Sequence, residues 1–270
     1  SKVRIVFDAA AINAKTKMSL NDTINKTPNR LNPLEHILIR SRKFKYVVCA
    51  DISEMFLQVR LDPRDRRYHR FWWNGRIYQW TRILFGNRAS PDISQKVIQT
   101  HAVVMKDEFP IACKSMLADC YMDDLMYSVE TEEEACMLMK ELLVLMSRID
   151  MKITKFYSNS KKALACIPKE LISTKVTFED NDAILEANKI LGMTWDATQD
   201  MFLYRTKFPD IEAFFDSLKL GHNPDWTKRL ILRLSATVYD PLGLIAPFAI
   251  RSRLILQSLW QTKLDWDDKI

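Results

Sequence analysis

Two adjacent acids, Asp123 and Asp124, stand between two apolar stretches, and this feature constrains the fold more than any other in the chain. Residues 115–118 and 125–129 have the length and composition of short β-strands. The pattern therefore predicts that Met122, Asp123 and Asp124 form the tip of a hairpin that leaves a sheet. Adjacent carboxylates repel each other, and a hard divalent cation such as Mg²⁺ relieves that repulsion through oxygen ligands. From this stretch alone, a solvated Asp-Asp turn is the alternative.

Length and composition disfavour several classes of protein. The 270 residues allow one large domain or two to three subdomains with a sizeable core. Forty Lys and Arg residues against 34 Asp and Glu residues give a formal net charge of +6, which suits a polyanionic partner. The chain has only five glycines and no glycine-rich phosphate loop, which disfavours P-loop and Rossmann nucleotide binding. Its apolar runs are too short to cross a bilayer, so no membrane partner is expected.

The cysteines indicate the redox compartment. Their number is odd and no C-x-x-C spacing occurs among Cys49, Cys113, Cys120, Cys136 and Cys166. We interpret them as buried, reduced thiols of an intracellular protein rather than as disulfides or zinc ligands.

A second acid, Asp51, ends a continuous apolar run. Residues 46–51 are typical of a buried strand with a carboxylate at its C-terminal end, where catalytic groups often lie. Phe56 follows five residues later, on the turn that we expect to leave this strand. It can flank whatever Asp51 binds, although an ordinary core side chain is the alternative interpretation.

The dipeptide Asn74-Gly75 separates two aromatic-rich alternating runs and predicts a β-hairpin with a type I′ turn. Arginines and aromatic residues alternate around it: Arg64, Arg66, Arg67, Arg70, Arg76 and Arg82 with Phe71, Trp72, Trp73, Tyr78 and Trp80. This combination suits a nucleic-acid template, because guanidinium groups pair with phosphates and rings stack on bases. The charged outer face of a packed hairpin is the alternative, and the two are compatible.

Local motifs mark the ends of other elements. Ser90 is a favourable N-cap and Pro91 a favourable first residue of a helix. Thr131 and Glu134 have the spacing of a capping box. At the start of the chain, charged and apolar side chains alternate over residues 2–8 and predict a half-buried strand, whose basic face suits either phosphates or solvent.

The predicted elements follow one another in an order that fixes a topology. They are a strand at 46–51, a helix at 90–105, strands at 115–121 and 125–129, a helix at 132–149 and a strand at 151–156. This is the split βαβ order of ferredoxin-like α+β folds. It places the end of the first strand beside the hairpin tip, so Asp51 meets Asp123 and Asp124. Converging carboxylates in a basic protein predict a two-metal site for phosphoryl transfer.

Several segments together resemble a known family. They are KVRIVFDAAA, ADISEMFLQVRL, LFGNRASPDISQ, CYMDDLMYS, ITKFYSNS, LGMTWD and VYDPLGLIAP followed by LQSLW. They cover nearly the whole chain and resemble, in the family's order, the reverse transcriptase of long-terminal-repeat retroelements, with the BEL/Pao group closest. The resemblance implies a right-hand polymerase fold. It assigns residues 1–45 and 60–88 to the fingers, 46–59 and 89–205 to the ferredoxin-like palm with its antiparallel sheet, and 206–270 to a helical thumb and the start of the connection.

The resemblance also implies roles for individual residues. Asp51, Asp123 and Asp124 match the triad that binds two Mg²⁺ ions, which Mn²⁺ can replace. Lys155 matches a lysine near the pyrophosphate leaving group and is a candidate general acid. The predicted nucleotide-binding residues are Lys2, Arg4, Phe56, Phe85, Gly86 and Met122. The predicted nucleic-acid-binding residues are Arg70 and Arg76 together with Leu191, Gly192 and Met193, which match the primer grip. BEL/Pao elements usually carry Val at the position of Met122 and Trp at that of Phe156.

The implied function is RNA-directed and DNA-directed DNA synthesis, in which a primer on an RNA or DNA template is extended with dNTPs. The implied partners include the RNase H and integrase domains of the same polyprotein, and a dimer is left open. The expected location is cytoplasmic, within virus-like particles. A domesticated or decayed RNA-binding module is the alternative function. All three acids are present although packing does not require them, and this favours the enzyme.

Overall fold

The computed structural model describes residues 6–25, 28–179, 182–204, 211–221 and 225–270. The chain divides into two compact units, residues 1–186 and residues 187–270, and each is described here by itself. The strand predicted over residues 2–8 lies largely outside the described residues, and residues 6–8 have no regular secondary structure. Within the described ranges, no helix combines the length and hydropathy of a bilayer span.

The first unit contains seven α-helices, two short 3₁₀-helices (Arg66–Tyr68 and Lys169–Leu171) and eight strands among its described residues. The helices are α1 (Leu20–Thr23), α2 (Leu34–Arg40), α3 (Met55–Gln58), α4 (Ser90–Val104), α5 (Pro110–Asp119), α6 (Glu132–Ser147) and α7 (Lys161–Leu164). The strands are β1 (Tyr46–Ile52), β2 (Arg70–Trp73), β3 (Arg76–Gln79), β4 (Cys120–Tyr121), β5 (Asp124–Val129), β6 (Ile153–Ser158), β7 (Val176–Glu179) and β8 (Asp182–Leu185).

A four-stranded antiparallel sheet forms the centre of this unit, in the order β4-β5-β1-β6. This is the strand order of a ferredoxin-like split βαβ unit, as the sequence predicts. Helix α6 packs against β1, β5 and β6 and buries its apolar stripe, of which Leu138, Leu142 and Met146 are at most 1% exposed. The capping box of Thr131 and Glu134 at its N-terminus is confirmed.

The prediction of a strand over residues 115–118 is wrong, because this segment is the last part of helix α5. Pro110 stands in the first turn, and Ala112, Cys113 and Met116 are buried with a helical spacing. Residues 115–118 are Ser-Met-Leu-Ala, with no β-branched side chain to favour a strand. Strand β4 therefore has only two residues.

The N-cap assignment of Ser90 is also wrong by one position. Ala89 is the N-cap of α4 and Ser90 is its first helical residue. The Ser90 hydroxyl instead donates to the carbonyl of Leu84 at 2.6 Å, which ties the start of the helix to the preceding loop. Pro91 is therefore the second helical residue, within the first turn but one position later than predicted.

The hairpin prediction around Asn74-Gly75 is confirmed. Strands β2 and β3 pair in register, and both turn residues have positive φ, 45° at Asn74 and 75° at Gly75. Positive φ at both central positions is what a type I′ turn requires.

The expectation that all five cysteines are reduced is wrong for Cys136 and Cys166, which form a disulfide between α6 and the residues after α7. The two positions are 30 residues apart, so sequence spacing gives no indication of the pair. Cys49, Cys113 and Cys120 are free and buried as expected.

The second unit combines a small sheet with helices. Strands β9 (Asn188–Ile190), β10 (Met193–Asp196) and β11 (Met201–Leu203) form an antiparallel sheet in the order β11-β10-β9. The helices are α8 (Ile211–Lys219), α9 (Lys228–Ser235) and α10 (Ala246–Trp260).

Asp240 organises the segment that connects α9 and α10. Its carboxylate accepts hydrogen bonds from the backbone N–H groups of Leu244 and Ile245 at 3.0 and 2.9 Å. It also accepts one from the Tyr204 hydroxyl at 3.0 Å. Burial, with this hydrogen bond as the second cause, raises the pKa of Tyr204 to about 12. The single carboxylate thus ties the end of the sheet to the start of α10.

Candidate active site

Asp51 and Asp124 are direct cross-strand partners in the antiparallel pair of β1 and β5. Directly opposite residues of such a pair share one face of the sheet, with Cβ atoms about 4.5–5.5 Å apart. Asp123 precedes Asp124 in the turn, and its carbonyl accepts a hydrogen bond from the N–H of Ile52 at 2.7 Å. The three acids therefore lie at one end of the central sheet, as the predicted topology requires.

The turn that carries these acids is held in an unusual backbone conformation. Met122 has φ of 54°, in the left-handed region that non-glycine residues rarely adopt. Its carbonyl accepts a hydrogen bond of 2.9 Å from the amide of Gln95, which lies on α4 and is only 1% exposed. Helix α4 thus fixes the tip of the hairpin from one side.

The base of the turn is fixed from the other side by two residues that sequence reasoning missed. Arg40 on α2 contacts the Asp119 carboxylate at 2.7 Å and donates to the Ala118 carbonyl at 2.6 Å. The amide of Asn32 donates to the carbonyls on either side of this junction, those of Leu117 and Cys120, at 3.1 Å each. The only indication in the sequence was an acid, Asp119, inside an otherwise apolar stretch.

The electrostatics of the cluster oppose full ionisation of the three acids. Burial, followed by the negative charges of Asp123 and Asp51, raises the pKa of Asp124 to about 6, and the Lys155 ammonium acts in the opposite direction. Burial and the nearby Asp124 and Asp123 charges also raise the pKa of the Cys120 thiol to about 12, so this thiol is protonated at neutral pH. A cation at the acids would relieve the repulsion between them.

Lys155 reaches the acids through a bulge in β6. Cys49 pairs with Tyr157 and Asp51 pairs with Thr154, so the single residue Ala50 faces two residues of β6. Lys155 is one of these two and has a positive φ of 54°. Its ammonium donates a hydrogen bond to Asp51 Oδ2 at 2.9 Å. The predicted general acid therefore lies at the predicted metal-binding residues.

The described residues contain no group of three His, Cys, Asp or Glu side chains that is already arranged around a common metal position. Asp51 is paired with Lys155 instead. The donor set nevertheless fits a metal ion, because the three carboxylates offer oxygen ligands of the kind that Mg²⁺ prefers. Burial first, and then the negative charges of Asp123 and Asp51, raise the pKa of Asp124, and a bound cation would offset those charges.

The predicted nucleotide-binding residues are partly brought together. The rings of Phe56 and Phe85 meet edge to face with centroids 5.0 Å apart. Phe56 lies on the one-turn helix α3 rather than on an open turn, and it is 9% exposed. At Gly86, which has φ of 89°, a Cβ atom would lie 2.1 Å from the Phe7 carbonyl oxygen, so only glycine fits. Lys2 and Arg4 lie outside the described residues.

The predicted nucleic-acid-binding residues belong to both units. Arg70 and Arg76 are exposed on the β2–β3 hairpin. In the second unit, Leu191 and Gly192 form the turn between β9 and β10 with positive φ of 51° and 83°. Leu191 and Met193 are 6% and 2% exposed.

Sequence comparison identifies the family of this chain. The model of the reverse transcriptase (RNA-dependent DNA polymerase) family matches residues 1–193, which include all three acids and Lys155. The chain belongs to the reverse transcriptase family. Residues 227–270 match the model of the Pao retrotransposon-like RNaseH-like domain, which confirms the resemblance to BEL/Pao elements. Members of this family generally use divalent metal ions. No curated protein sequence matches the chain.

Solved structures confirm the polymerase fold of this reverse transcriptase. The foamy viral protease-reverse transcriptase dRH in complex with ds DNA is 16% identical, with a TM-score of 0.58, and the match covers 99% of this chain and 38% of that chain. The foamy viral protease-reverse transcriptase in complex with RNA/DNA hybrid is 14% identical, with a TM-score of 0.52, and the match covers 89% of this chain and 27% of that chain. The chain thus spans less than half the length of these proteins.

Proposed function

We propose that this reverse transcriptase extends a primer on an RNA or DNA template with dNTPs, and that Asp51, Asp123 and Asp124 form its reaction centre. One observation carries the proposal: Asp51 and Asp124 face each other across two central strands, and Asp123 is beside them in a constrained turn. The foamy viral relatives hold ds DNA and an RNA/DNA hybrid, which supports a duplex substrate for this chain as well.

The three carboxylates would hold two Mg²⁺ ions, for which Mn²⁺ can substitute. Such ions, when bound, neutralise phosphate charge and lower the pKa of an attacking hydroxyl. The protein's part is positioning: Gln95 and Ile52 hold the carbonyls of the turn, and the strands hold the acids in register. The Lys155 side chain is 64% exposed beside Asp51, and it would donate a proton to the leaving pyrophosphate.

The remaining assignments follow the same proposal. The incoming nucleotide would contact Phe56, Phe85, Gly86 and Met122, with Lys2 and Arg4 on its triphosphate. Arg70 and Arg76 would contact template phosphates, and residues 191–193 would contact the primer. The predicted fingers, palm and thumb boundaries, the cytoplasmic location in virus-like particles, the RNase H and integrase partners and a dimer stay predictions from the family resemblance.

Primer extension on poly(rA)/oligo(dT), with Mg²⁺ and with Mn²⁺, tests the proposed function. We expect extension by the wild-type chain and none by Asp123→Asn, because the variant removes a charged oxygen ligand and little packing. The variant should still bind primer–template, since that binding depends on other surfaces. Extension by Asp123→Asn would contradict the assignment of the acids. Binding without extension by the wild-type chain would favour the RNA-binding module instead.

A further inference from the structure

The β2–β3 hairpin has one face with no packing partner among the described residues. In an antiparallel pair, directly opposite residues share a face, so Trp72 and Ile77 lie side by side with Arg70 and Gln79 next to them. All four side chains are exposed, and Trp72 and Ile77 are 70% and 68% exposed. An indole this exposed contributes little to the stability of the fold.

The opposite face is packed near its base and open at its tip. Phe71 stacks on Tyr78 and lies against Trp80, with centroids 5.6 Å apart in both pairs. Phe7 packs on Phe71 at 4.9 Å. Beyond this aromatic cluster, toward the turn, Trp73 faces Arg76 across the strands and is 68% exposed. The cluster therefore anchors the hairpin and leaves the second indole free.

The charges around the hairpin are not balanced. Residues 60–82 contain seven arginines and two acids, Asp62 and Asp65. Some arginines have structural partners: Arg64 pairs with Asp62 at 3.0 Å, and Arg82 donates to the Gln58 carbonyl at 2.6 Å. The guanidinium groups of Arg70 and Arg76, by contrast, form no hydrogen bond or ion pair with any residue that the structure describes. Each face of the hairpin thus carries one exposed indole and one guanidinium without a structural partner: Trp72 and Arg70 on one face, Trp73 and Arg76 on the other.

We propose that the tip of the β2–β3 hairpin is a stacking platform for an unpaired nucleic-acid strand. This inference rests on the proposed function and specifies which form of the template the hairpin binds. Bases stack on Trp72 and Trp73, and Arg70 and Arg76 pair with the neighbouring phosphates. In a duplex the bases already stack on one another, so the platform selects the single-stranded part of the template. The excess of arginine favours a polyanion, and the exposed indoles favour one with accessible bases.

The platform is tested by equilibrium binding without dNTPs, on a primer–template with a long single-stranded overhang and on a blunt duplex of the same paired length. The double variant Trp72→Ala/Trp73→Ala should weaken binding of the overhang substrate by about 5- to 150-fold for each stacked base and leave blunt-duplex binding nearly unchanged. Trp72→Phe/Trp73→Phe should restore most of the loss, because phenylalanine retains a stacking face.

Salt titration distinguishes the contribution of the indoles to binding from that of the arginines. Arg70→Ala/Arg76→Ala should reduce the slope of log affinity against log salt by about 0.7 for each phosphate contact to a single strand. The tryptophan variant should lower affinity without changing this slope. Arg64→Ala removes the same charge from an arginine already paired with Asp62, and it serves as the matched control with a slope close to wild type.

Equal losses on overhang and blunt substrates, or no loss, would overturn the platform. So would a fall in oligomer mass in light scattering of the tryptophan variant, because the indoles would then cover another protein surface. Extension of a short-overhang substrate by the wild-type chain tests the proposed function separately. If the wild-type chain extends primers and the tryptophan variant binds overhang substrates normally, the platform is refuted and the proposed polymerase function stands.

Discussion

The ammonium of Lys155 donates a hydrogen bond of 2.9 Å to Asp51 Oδ2, from a bulge whose backbone is in the left-handed region. A regular strand would place successive side chains on alternate faces, whereas the bulge changes this alternation and directs Lys155 to the acids. The pair is largely exposed on the lysine side, so its contribution to stability is small. Under the proposed function, this strained backbone conformation is retained because it directs Lys155 to the acids.

Lys155→Gln should therefore lower the rate of nucleotide addition much more than the stability. A general acid contributes about 10²- to 10⁴-fold to a rate, and the variant should lose a substantial part of that factor in single-turnover extension. Lys152→Gln is the control, because it removes the same charge from an exposed residue immediately before strand β6. Equal small effects of both variants would show that only the overall positive charge matters.

Breaking the contact between Arg40 and Asp119 should destabilise the first unit and disturb the turn before Asp124. Asp119 is 2% exposed, so Arg40→Met leaves its carboxylate buried without its cation. We expect a loss of about 2–3 kcal/mol in urea unfolding, less than for a fully buried pair because the Arg40 side chain is 41% exposed. The double variant Arg40→Met/Asp119→Leu should regain part of that loss. A double variant no more stable than Arg40→Met would contradict this account.

Asp124→Asn should stabilise the metal-free protein and weaken its response to Mg²⁺. The pKa of Asp124 is raised to about 6 from 3.8, so ionisation of this group lowers the free energy of unfolding progressively between these two pH values and fully above the higher one. The cost is at most about 3 kcal/mol at neutral pH, and it disappears as pH falls below the unfolded value of about 4, where the group is protonated in both states. Melting temperatures of variant and wild type, measured across this range with and without Mg²⁺, check both statements. A constant difference at every pH would refute the electrostatic cause.

Phe56→Val should increase ribonucleotide incorporation relative to deoxynucleotide incorporation. If Asp51 lies at the triphosphate, the nearby ring packs on the sugar and leaves a 2′ hydroxyl buried without a partner, at a cost of about 1–3 kcal/mol. Phe56 also packs on Phe85, so some loss of stability is expected. Single insertions of dCTP and CTP, measured beside the melting temperature, distinguish the roles. A destabilised variant with an unchanged ratio would make Phe56 a core residue only.

Gly192→Ala should destabilise the second unit more than Gly221→Ala. Both glycines have φ of 83°, so each variant pays a similar backbone cost of about 1–2 kcal/mol. At Gly192 the new Cβ would also lie 2.7 Å from the Tyr239 ring, whereas nothing lies within 4 Å at Gly221. The extra overlap should cost about 1–3 kcal/mol more in thermal or urea unfolding. Equal losses would mean that Tyr239 moves freely.

Local chemistry in the sequence determined a large part of this structure. The turn at Asn74-Gly75 requires positive φ at two positions, which few dipeptides other than Asn-Gly tolerate well, so the hairpin was predictable from neighbours alone. The buried run ending at Asp51 and the acids at the start of β5 were predictable for the same reason. The order of the elements then sufficed to bring Asp51 to Asp124, because few topologies connect them.

Tertiary structure alone decided the rest, because long-range partners leave no periodic pattern in the sequence. Arg40 and Asp119 are 79 positions apart, and Cys136 and Cys166 are 30 apart. Residues 115–118 are apolar enough for a strand or a helix, and packing of their helical face selected the helix. The same holds for the arginines of residues 60–82. Each has a structural partner only where folding brings an acid or a carbonyl group within reach of its guanidinium.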